Sequence, residues 1–321
     1  ALHFRGTPLR TADDFSRFMH ALSEGGQWTP HVDKGLMVLR KPHAKNVATA
    51  NEGPPDQPIG SHNEYGLSSH HPSYIAFFCL SEPDAGGETP IASSLALHDR
   101  LEERKPELIR ALEEKGVAFS IHHPRDTIEG NLQGNGLFNA NAFGPQSGDV
   151  SGLSEDEKRQ IVEANVQALA DEGKGKGLWK QKGYDAKWLP DGSLLSVQRV
   201  PGVRLHPRYG AKTFFNNIHN RLLYSRLHKA TEPPHISQTQ TTALGTPFYQ
   251  KPPQLVEEEE DRLFPRDWIE TIEEVTAELQ VDVKWNKGDV LLLDNLAVQH
   301  ARRPWKGDRR LLASLWDRTA L

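Results

Sequence analysis

The stretch IGSHNEYGLSSHHPSYIAFFCLS, residues 59–81, joins a dense histidine cluster to a long apolar run. The run SYIAFFCLS is apolar at most positions and short, which is typical of a strand buried on both faces. His62 and Glu64 stand two residues apart before it, so on an extended chain their side chains point to the same side. His70 and His71 lack that spacing, and we interpret them as loop residues. The stretch predicts a buried β-sheet next to a metal site.

Two ligands do not complete a metal site, and the C-terminal segment GDVLLLDNLAVQHARRPW, residues 288–305, offers a third in His300. Two histidines and one carboxylate form the facial triad of non-haem Fe(II) oxygenases, which leaves coordination positions open. Thr89 in GGETP and Arg310 in GDRRLLAS add a hydroxyl group and a guanidinium group. Both groups can donate hydrogen bonds to a carboxylate.

These segments resemble two motifs of the TauD/TfdA family, the taurine dioxygenase and clavaminate synthase-like Fe(II)/2-oxoglutarate-dependent oxygenases. The resemblance implies a mainly β fold with surrounding helices, a double-stranded β-helix or jelly roll. It implies Fe(II), 2-oxoglutarate and O₂ as cofactor and cosubstrates. By the same resemblance, five residues form the site: the metal ligands His62, Glu64 and His300, and the 2-oxoglutarate residues Thr89 and Arg310. Arg309 is adjacent and could share or exchange roles with Arg310, although the alignment of the tandem arginines favours the second.

The resemblance also implies an enzyme that oxidises a C–H bond of a small polar molecule, amino-acid-derived or another specialised metabolite. Hydroxylation, desaturation and cyclisation all remain open. In taurine dioxygenase-like members a further arginine, four residues beyond the 2-oxoglutarate arginine, meets the sulfonate, whereas Ser314 stands at that position here. We therefore expect sulfonates to be poor substrates. The residues alone also allow a cupin-like hydrolase or isomerase that does not use 2-oxoglutarate, and a binding protein without catalysis.

Composition narrows the classes of partner. The chain has 321 residues, with 38 Lys and Arg against 43 Asp and Glu, so it lacks the basic excess of a nucleic-acid-binding protein. Its apolar runs are too short to span a membrane, and the N-terminus lacks the apolar core of a signal peptide. Cys79 is the only cysteine, which excludes a disulfide framework. We expect a cytoplasmic protein that binds a small-molecule substrate, and a homo-oligomer is compatible with the sequence.

The apolar periodicity predicts one domain over residues 1–321, because no linker separates two self-sufficient halves. Helices are expected near residues 12–24, 94–103, 106–115, 153–173, 219–228 and 265–279. Strands are expected near residues 35–41, 73–81, 117–124, 193–200, 211–215, 281–285, 289–295 and 310–317. Strands and helices do not alternate strictly, which argues against a parallel doubly wound sheet.

Overall fold

Six helices and twenty-two strands make up the part of the chain that the computed structural model describes, residues 1–35, 38, 40–50, 53–128, 135–175, 184–242 and 244–319. The helices are α1 (Ala12–Gly26), α2 (Ser94–Arg104), α3 (Pro106–Glu114), α4 (Glu155–Gly175), α5 (Ile218–Leu227) and α6 (Arg266–Leu279). The strands are β1 (Leu2–Phe4), β2 (Trp28–Pro30), β3 (Pro42–Ala44), β4 (Val47–Thr49), β5 (Ile59–His62), β6 (Tyr74–Ser81), β7 (Ala85–Gly86), β8 (Thr89–Ser93), β9 (Val117–His123), β10 (Tyr184–Trp188), β11 (Leu194–Val200), β12 (Val203–Leu205), β13 (Lys212–Phe214), β14 (Ile236–Thr241), β15 (Pro247–Tyr249), β16 (Gln254–Leu255), β17 (Arg262–Leu263), β18 (Val281–Val283), β19 (Val290–Asp294), β20 (Val298–Arg302), β21 (Trp305–Lys306) and β22 (Arg310–Arg318).

This arrangement is mainly β with surrounding helices, as the sequence predicted. Each predicted helix and strand has a counterpart in it except the strand expected near residues 35–41, which falls partly on residues outside the described part of the chain. The additional strands are mostly two to five residues long. Strands this short carry too few residues for an apolar alternation to be recognised in the sequence. Helix α1 begins with a capping box, in which the hydroxyl group of Thr11 accepts from the backbone N–H of Asp14 and the Asp14 carboxylate accepts from that of Thr11.

The largest sheet is antiparallel, and both of its faces are buried. Its strand order is β1-β19-β6-β22-β4-β3, with β2 also paired to β22. One face packs against α1, where Phe78 stacks on Phe15 at 5.2 Å between ring centroids. Buried residues of this α1 face include Ala76, Phe78, Leu292, Leu312 and Trp316. Buried residues of the opposite, inner face include Ile75, Phe77, Leu291, Leu311 and Ala313.

A second antiparallel sheet, in the order β18-β8-β20-β5, packs against that inner face. Val283 and Val298 of the second sheet share one apolar cluster with the inner-face residues of the first. Strands β5 and β20 are neighbours, and their register places His62 opposite His300. Two segments separated by more than 230 residues therefore bring their histidines to the same place.

The helices cover the outside of this arrangement. Helices α2, α3, α5 and α6 share an apolar cluster with strand β9, and α4 packs over a smaller cluster around Phe143. Cys79 is buried in strand β6, where burial raises its pKa to about 12. No helix within the described residues has both the length and the apolar composition needed to cross a membrane.

Candidate active site

Strands β5 and β20 and the residues that follow β5 bring together a cluster of three metal-ligating side chains. The ligand atoms of His62, Glu64 and His300 all lie within 4.8 Å of one another. Oε2 of Glu64 is 3.8 Å from Nε2 of His62 and 3.5 Å from Nε2 of His300. The two imidazole rings are 4.3 Å apart between centroids. Three donors that converge on one point from two strands can hold a single ion.

Hydrogen bonds orient two of these side chains before any ion is considered. Nδ1 of His62 donates to the carbonyl oxygen of Gly60 at 2.8 Å, so its proton is on Nδ1 and the lone pair of Nε2 is free for a metal. Oε1 of Glu64 accepts a hydrogen bond from Nη2 of Arg40 at 2.5 Å. Oε2 is thereby the oxygen that faces the two histidines.

The protonation states of His62 and Glu64 also suit metal binding. Burial, with His300 close by, lowers the pKa of His62 to about 4, so its imidazole is neutral at pH 7. Burial is the largest single effect and opposes ionisation of Glu64, but Arg40, His300 and His62 together outweigh it and lower the pKa of Glu64 to about 2. A neutral imidazole and an ionised carboxylate are the forms that bind metals.

Asn63 and Asn295 clamp the backbone that carries the ligands. The Asn63 side chain points away from those of its two neighbours and donates to the hydroxyl of Ser94 and to the carbonyl oxygen of Asn295. Its own oxygen accepts from the backbone of Asn216 and from the side chain of Gln299. Asn295 is the second half of this clamp. Its side-chain oxygen accepts from the backbone N–H of Glu64 at 2.7 Å, and its side-chain nitrogen donates to the backbone carbonyl oxygen of Glu64 at 2.9 Å.

Replacing Asn63 by leucine is expected to lower the free energy of unfolding by roughly 3 kcal/mol or more. Leucine has a similar size but leaves several buried polar groups without a partner, and each such group costs about 1–3 kcal/mol. Urea denaturation of the metal-free protein measures the effect. A loss below about 1 kcal/mol would show that the surrounding groups find other partners.

Thr89 lies at the start of β8, buried, and lines the same cavity. Its hydroxyl oxygen accepts a hydrogen bond from Nε1 of Trp285 at 3.0 Å. Because that contact occupies a lone pair of the oxygen, the hydroxyl proton can still be donated to a ligand.

The tandem arginines lie on opposite sides of strand β22, and the structure does not bring Arg310 to the cavity. The side chain of Arg310 is 59% exposed and pairs with Asp308 at 2.5 Å on the surface. Arg309 lines the cavity instead, and its Nε donates to the carbonyl oxygen of Gly87 at 2.9 Å. The alignment favoured Arg310, but of the two tandem arginines the structure places Arg309 at the cavity. The physical reason is the alternation of the strand, in which Arg309 shares the inner side with Leu311.

Gly87 is required for this placement. Its φ is +72°, and an added Cβ would come within 2.8 Å of Cδ of Arg309. Burial, with Arg302 nearby, lowers the pKa of Arg309 to about 10, which still leaves the guanidinium charged at pH 7. Arg302 and Arg309 both pack their guanidinium groups over the ring of Trp305. The guanidinium carbon is 4.5 Å from the ring centroid in Arg302 and 5.4 Å in Arg309.

A cavity of about 240 Å³ opens over the three metal-ligating residues. Its walls come from strands β5, β6, β8, β9, β20 and β22, from helix α5, and from residues 34, 35, 38, 40, 53, 54, 57, 240, 241, 248 and 250. His122 lines it too and stacks on Phe248. His70 instead hydrogen-bonds Glu172 and the carbonyl of Val32, outside the cavity lining.

Comparison with known proteins identifies what kind of site this is. Residues 1–316 match the family model described as "Taurine catabolism dioxygenase TauD, TfdA family". The chain belongs to the TauD/TfdA family. A clavaminate synthase-like protein of Arabidopsis thaliana is 30% identical over 316 residues, which cover 98% of this chain and 81% of that protein. The dapdiamide synthesis protein DdaC of Enterobacter agglomerans is 24% identical over 317 residues, 99% of this chain and 82% of that protein.

Solved structures of the same kind are more distant. A taurine dioxygenase from Burkholderia xenovorans has 14% sequence identity and a TM-score of 0.46, and the match covers 98% of this chain and 75% of that one. PvcB from Pseudomonas aeruginosa has 13% identity and a TM-score of 0.43, with coverage of 98% and 74%.

Membership of the TauD/TfdA family makes the chain an Fe(II)- and 2-oxoglutarate-dependent dioxygenase. The hydrolase or isomerase without 2-oxoglutarate is thereby set aside, and so is the binding protein without catalysis. The sequence did not indicate four residues that bond to the metal-ligating segments or to one another: Arg40, Asn63, Asn295 and Gln299. A signal was available for Asn63 alone, since it stands between His62 and Glu64 in the motif.

Proposed function

We propose that His62, Glu64 and His300 bind the Fe(II) of this dioxygenase. The observation that carries the proposal is the convergence of their ligand atoms within 4.8 Å at the cavity. The donor set fits the ion, since two imidazoles and one carboxylate are the ligands of the facial triad. Glu64 binds through Oε2 because Arg40 already occupies Oε1.

We propose further that Arg309, rather than Arg310, binds the remote carboxylate of 2-oxoglutarate, together with Thr89. Arg309 is half-buried, lines the cavity and donates only through Nε to a described neighbour, so its two terminal nitrogens can form a fork with a carboxylate. Thr89 can add its hydroxyl proton, which Trp285 leaves available. Arg310, exposed and paired with Asp308, has no such position.

The proposed architecture is a single domain over residues 1–321 with a double-stranded β-helix at its centre. Two antiparallel sheets packed face to face, with the metal ligands on neighbouring strands of the smaller one, support this assignment.

When bound, iron, 2-oxoglutarate and O₂ supply an oxidant that removes hydrogen from a C–H bond, while 2-oxoglutarate becomes succinate and CO₂. The chain's own residues hold the reactants and limit the access of water. The inner face of the large sheet closes one side of the cavity with Phe77 and Leu311, and Leu67 and Ile121 add apolar walls. Polar groups on α5 face the same space, which suits a substrate with polar groups.

The proposed substrate is a small polar molecule, an amino-acid derivative or another specialised metabolite. The relative DdaC, a dapdiamide synthesis protein, supports this class. Counted from Arg309, the position four residues further on is Ala313; counted from Arg310, it is Ser314. Ser314 is buried, and its hydroxyl group donates to the carbonyl oxygen of Asn46. Neither side chain supplies the cation that the resemblance places against a sulfonate, so taurine is expected to be a poor substrate.

Succinate formation tests the proposed function. The protein is incubated with Fe(II), ascorbate, O₂ and 2-oxoglutarate, alone and with amino acids, sulfonates and apolar natural products. We expect succinate in excess of the substrate-free rate with amino-acid-like compounds. Efficient release of sulfite from taurine would contradict the proposed substrate class, and the absence of both 2-oxoglutarate binding and succinate would contradict the site.

Replacing Trp285 by phenylalanine is expected to weaken 2-oxoglutarate binding by about 2- to 10-fold. The substitution keeps the ring but removes the N–H that fixes the Thr89 hydroxyl, and one hydrogen bond contributes about 0.5–1.5 kcal/mol. Calorimetric titration of the metal-loaded protein with 2-oxoglutarate measures it. Trp316→Phe is the matched control, since its N–H donates to Ser314 on the α1 face. Equal effects of the two variants would argue against a role for Trp285 in the site.

A further inference from the structure

The cavity is lined by more positive than negative side chains. Besides histidines, the lining contains five basic residues and one acidic residue: Lys34, Arg40, Arg221, Arg302, Arg309 and Glu64. Two of the basic residues already have acidic partners, since Lys34 pairs with Glu172 and Arg40 with Glu64. Under the proposed function, Arg309 takes the remote carboxylate of 2-oxoglutarate.

Arg221 differs from these residues in its surroundings. It lies on α5, is 6% exposed, and donates through Nη2 to the backbone carbonyl of Ser120 on β9 at 3.0 Å. Within the described parts of the chain, no acidic side chain forms an ion pair with it. Burial lowers the pKa of Arg221 to about 10, so the group remains charged at pH 7.

A buried guanidinium without a counter-ion is costly unless a ligand supplies the negative charge. Arg221 has five N–H groups, of which the carbonyl of Ser120 accepts from one. The remaining donors include enough for a two-bond contact with a planar carboxylate. The group also lines the cavity that holds the metal cluster, so an anion bound there would be part of a ligand that reaches the iron.

We propose that Arg221 binds a carboxylate of the substrate, an inference that rests on the proposed function of the cavity. Tyr224, one turn further along α5, also lines the cavity. The backbone carbonyls of Pro54 and Gln57 accept from Arg302, which adds a second positive charge on the cavity wall. The substrate class is therefore a small carboxylic acid, held at α5 so that a C–H bond elsewhere in the molecule faces the metal.

A binding experiment tests this without knowledge of the natural substrate. The protein is first titrated with Mn(II) and N-oxalylglycine, a non-reactive analogue of 2-oxoglutarate, which fills the proposed cofactor sites. Benzoate, hexanoate and N-acetylglycine are then titrated by calorimetry, each beside its neutral carboxamide, with benzenesulfonate as a second anion. At least one acid is expected to bind roughly tenfold or more tightly than its amide, because the amide cannot supply the charge.

Arg221→Met is expected to weaken binding of that acid by about 30-fold and to leave binding of the amide unchanged. The figure is the lower end of the effect of removing one partner of a buried charge pair. Arg204→Met is the matched control, because Arg204 is also a buried arginine bonded to a backbone carbonyl, that of Ser68, but does not line the cavity. Arg221→Lys keeps the charge and should retain part of the preference for the acid.

Each result bears on the proposal. Equal affinity for acid and amide, or no binding of any acid, would overturn it, and this comparison uses the unmodified chain, so it does not depend on the folding of a variant. An acid preference that survives in Arg221→Met would also overturn it. Tighter binding of the sulfonate than of every carboxylate would overturn the assignment to carboxylic acids. A failure of the proposed function is visible separately, since Mn(II) and N-oxalylglycine would then not bind in the first titration.

Discussion

Replacing His300 by alanine is expected to lower both iron affinity and 2-oxoglutarate turnover by more than about 100-fold. Losing a group that merely supports a metal ligand costs 10- to 100-fold, and losing the ligand itself should cost more. His300 is one of three donors, and its partner across the strand pair, His62, cannot compensate with a second nitrogen because Nδ1 is bonded to Gly60. Iron content after equilibrium dialysis and succinate formation measure the two effects.

His122→Ala provides the control for this experiment. His122 lines the same cavity but lies outside the metal cluster, so the variant should keep its iron. Circular dichroism should show that both variants are folded. Full activity of His300→Ala with iron still bound would remove His300 from the ligand set.

Replacing Arg309 by glutamine is expected to weaken 2-oxoglutarate binding by ~30-fold or more, while Arg310→Gln changes it by no more than about twofold. Removing one partner of a buried charge pair costs about 2–5 kcal/mol, and each 1.4 kcal/mol is a factor of ten in affinity. Exposed ion pairs such as Arg310 with Asp308 contribute little. Titration of the Mn(II)-loaded protein with 2-oxoglutarate compares the two variants directly.

The pair of variants is informative because the two residues are adjacent and identical in type. The reverse result, a large effect at Arg310 and none at Arg309, would show that the strand presents its other side to the cosubstrate. Comparable effects at both positions would indicate a general electrostatic contribution rather than a specific contact.

The three proposed metal ligands could be singled out from the sequence because two of them are close together in the chain and the third follows a recognisable strand. The spacing of His62 and Glu64 places both on one side of an extended chain, whatever strand they later join. His300 follows a buried apolar run, which places it just beyond a predicted buried strand. The structure brings all three together.

The choice between Arg309 and Arg310 could not be made in the same way. Strand alternation states that the two side chains point in opposite directions, but it does not state which direction is inward. The pattern of polar and apolar residues usually shows which direction is inward, because one face of a strand is exposed to solvent. Here both faces of β22 are covered, one by α1 and the other by the second sheet, so the apolar run that follows carries no alternation.

Arg221 was missed for a different reason. Its helix has buried residues on more than one side, and the sequence gives no sign that a charged residue is among them. The cavity forms only when α5 packs against β5 and β9, which are distant in the chain. No local pattern reports such a long-range contact.

The clamp formed by Asn63 and Asn295 bears on how the protein obtains the correct ion. These two side chains fix the backbone around Glu64 through protein groups alone, so the donors are in place before an ion arrives. A ready set of two imidazoles and a carboxylate binds divalent ions in the order Mn²⁺ < Fe²⁺ < Co²⁺ < Ni²⁺ < Cu²⁺ > Zn²⁺. Fe(II) is one of the weaker competitors in that series. The ion that occupies the site is therefore decided by which metal is supplied, and protein purified aerobically should carry a mixture that reflects its growth medium until it is stripped and reloaded.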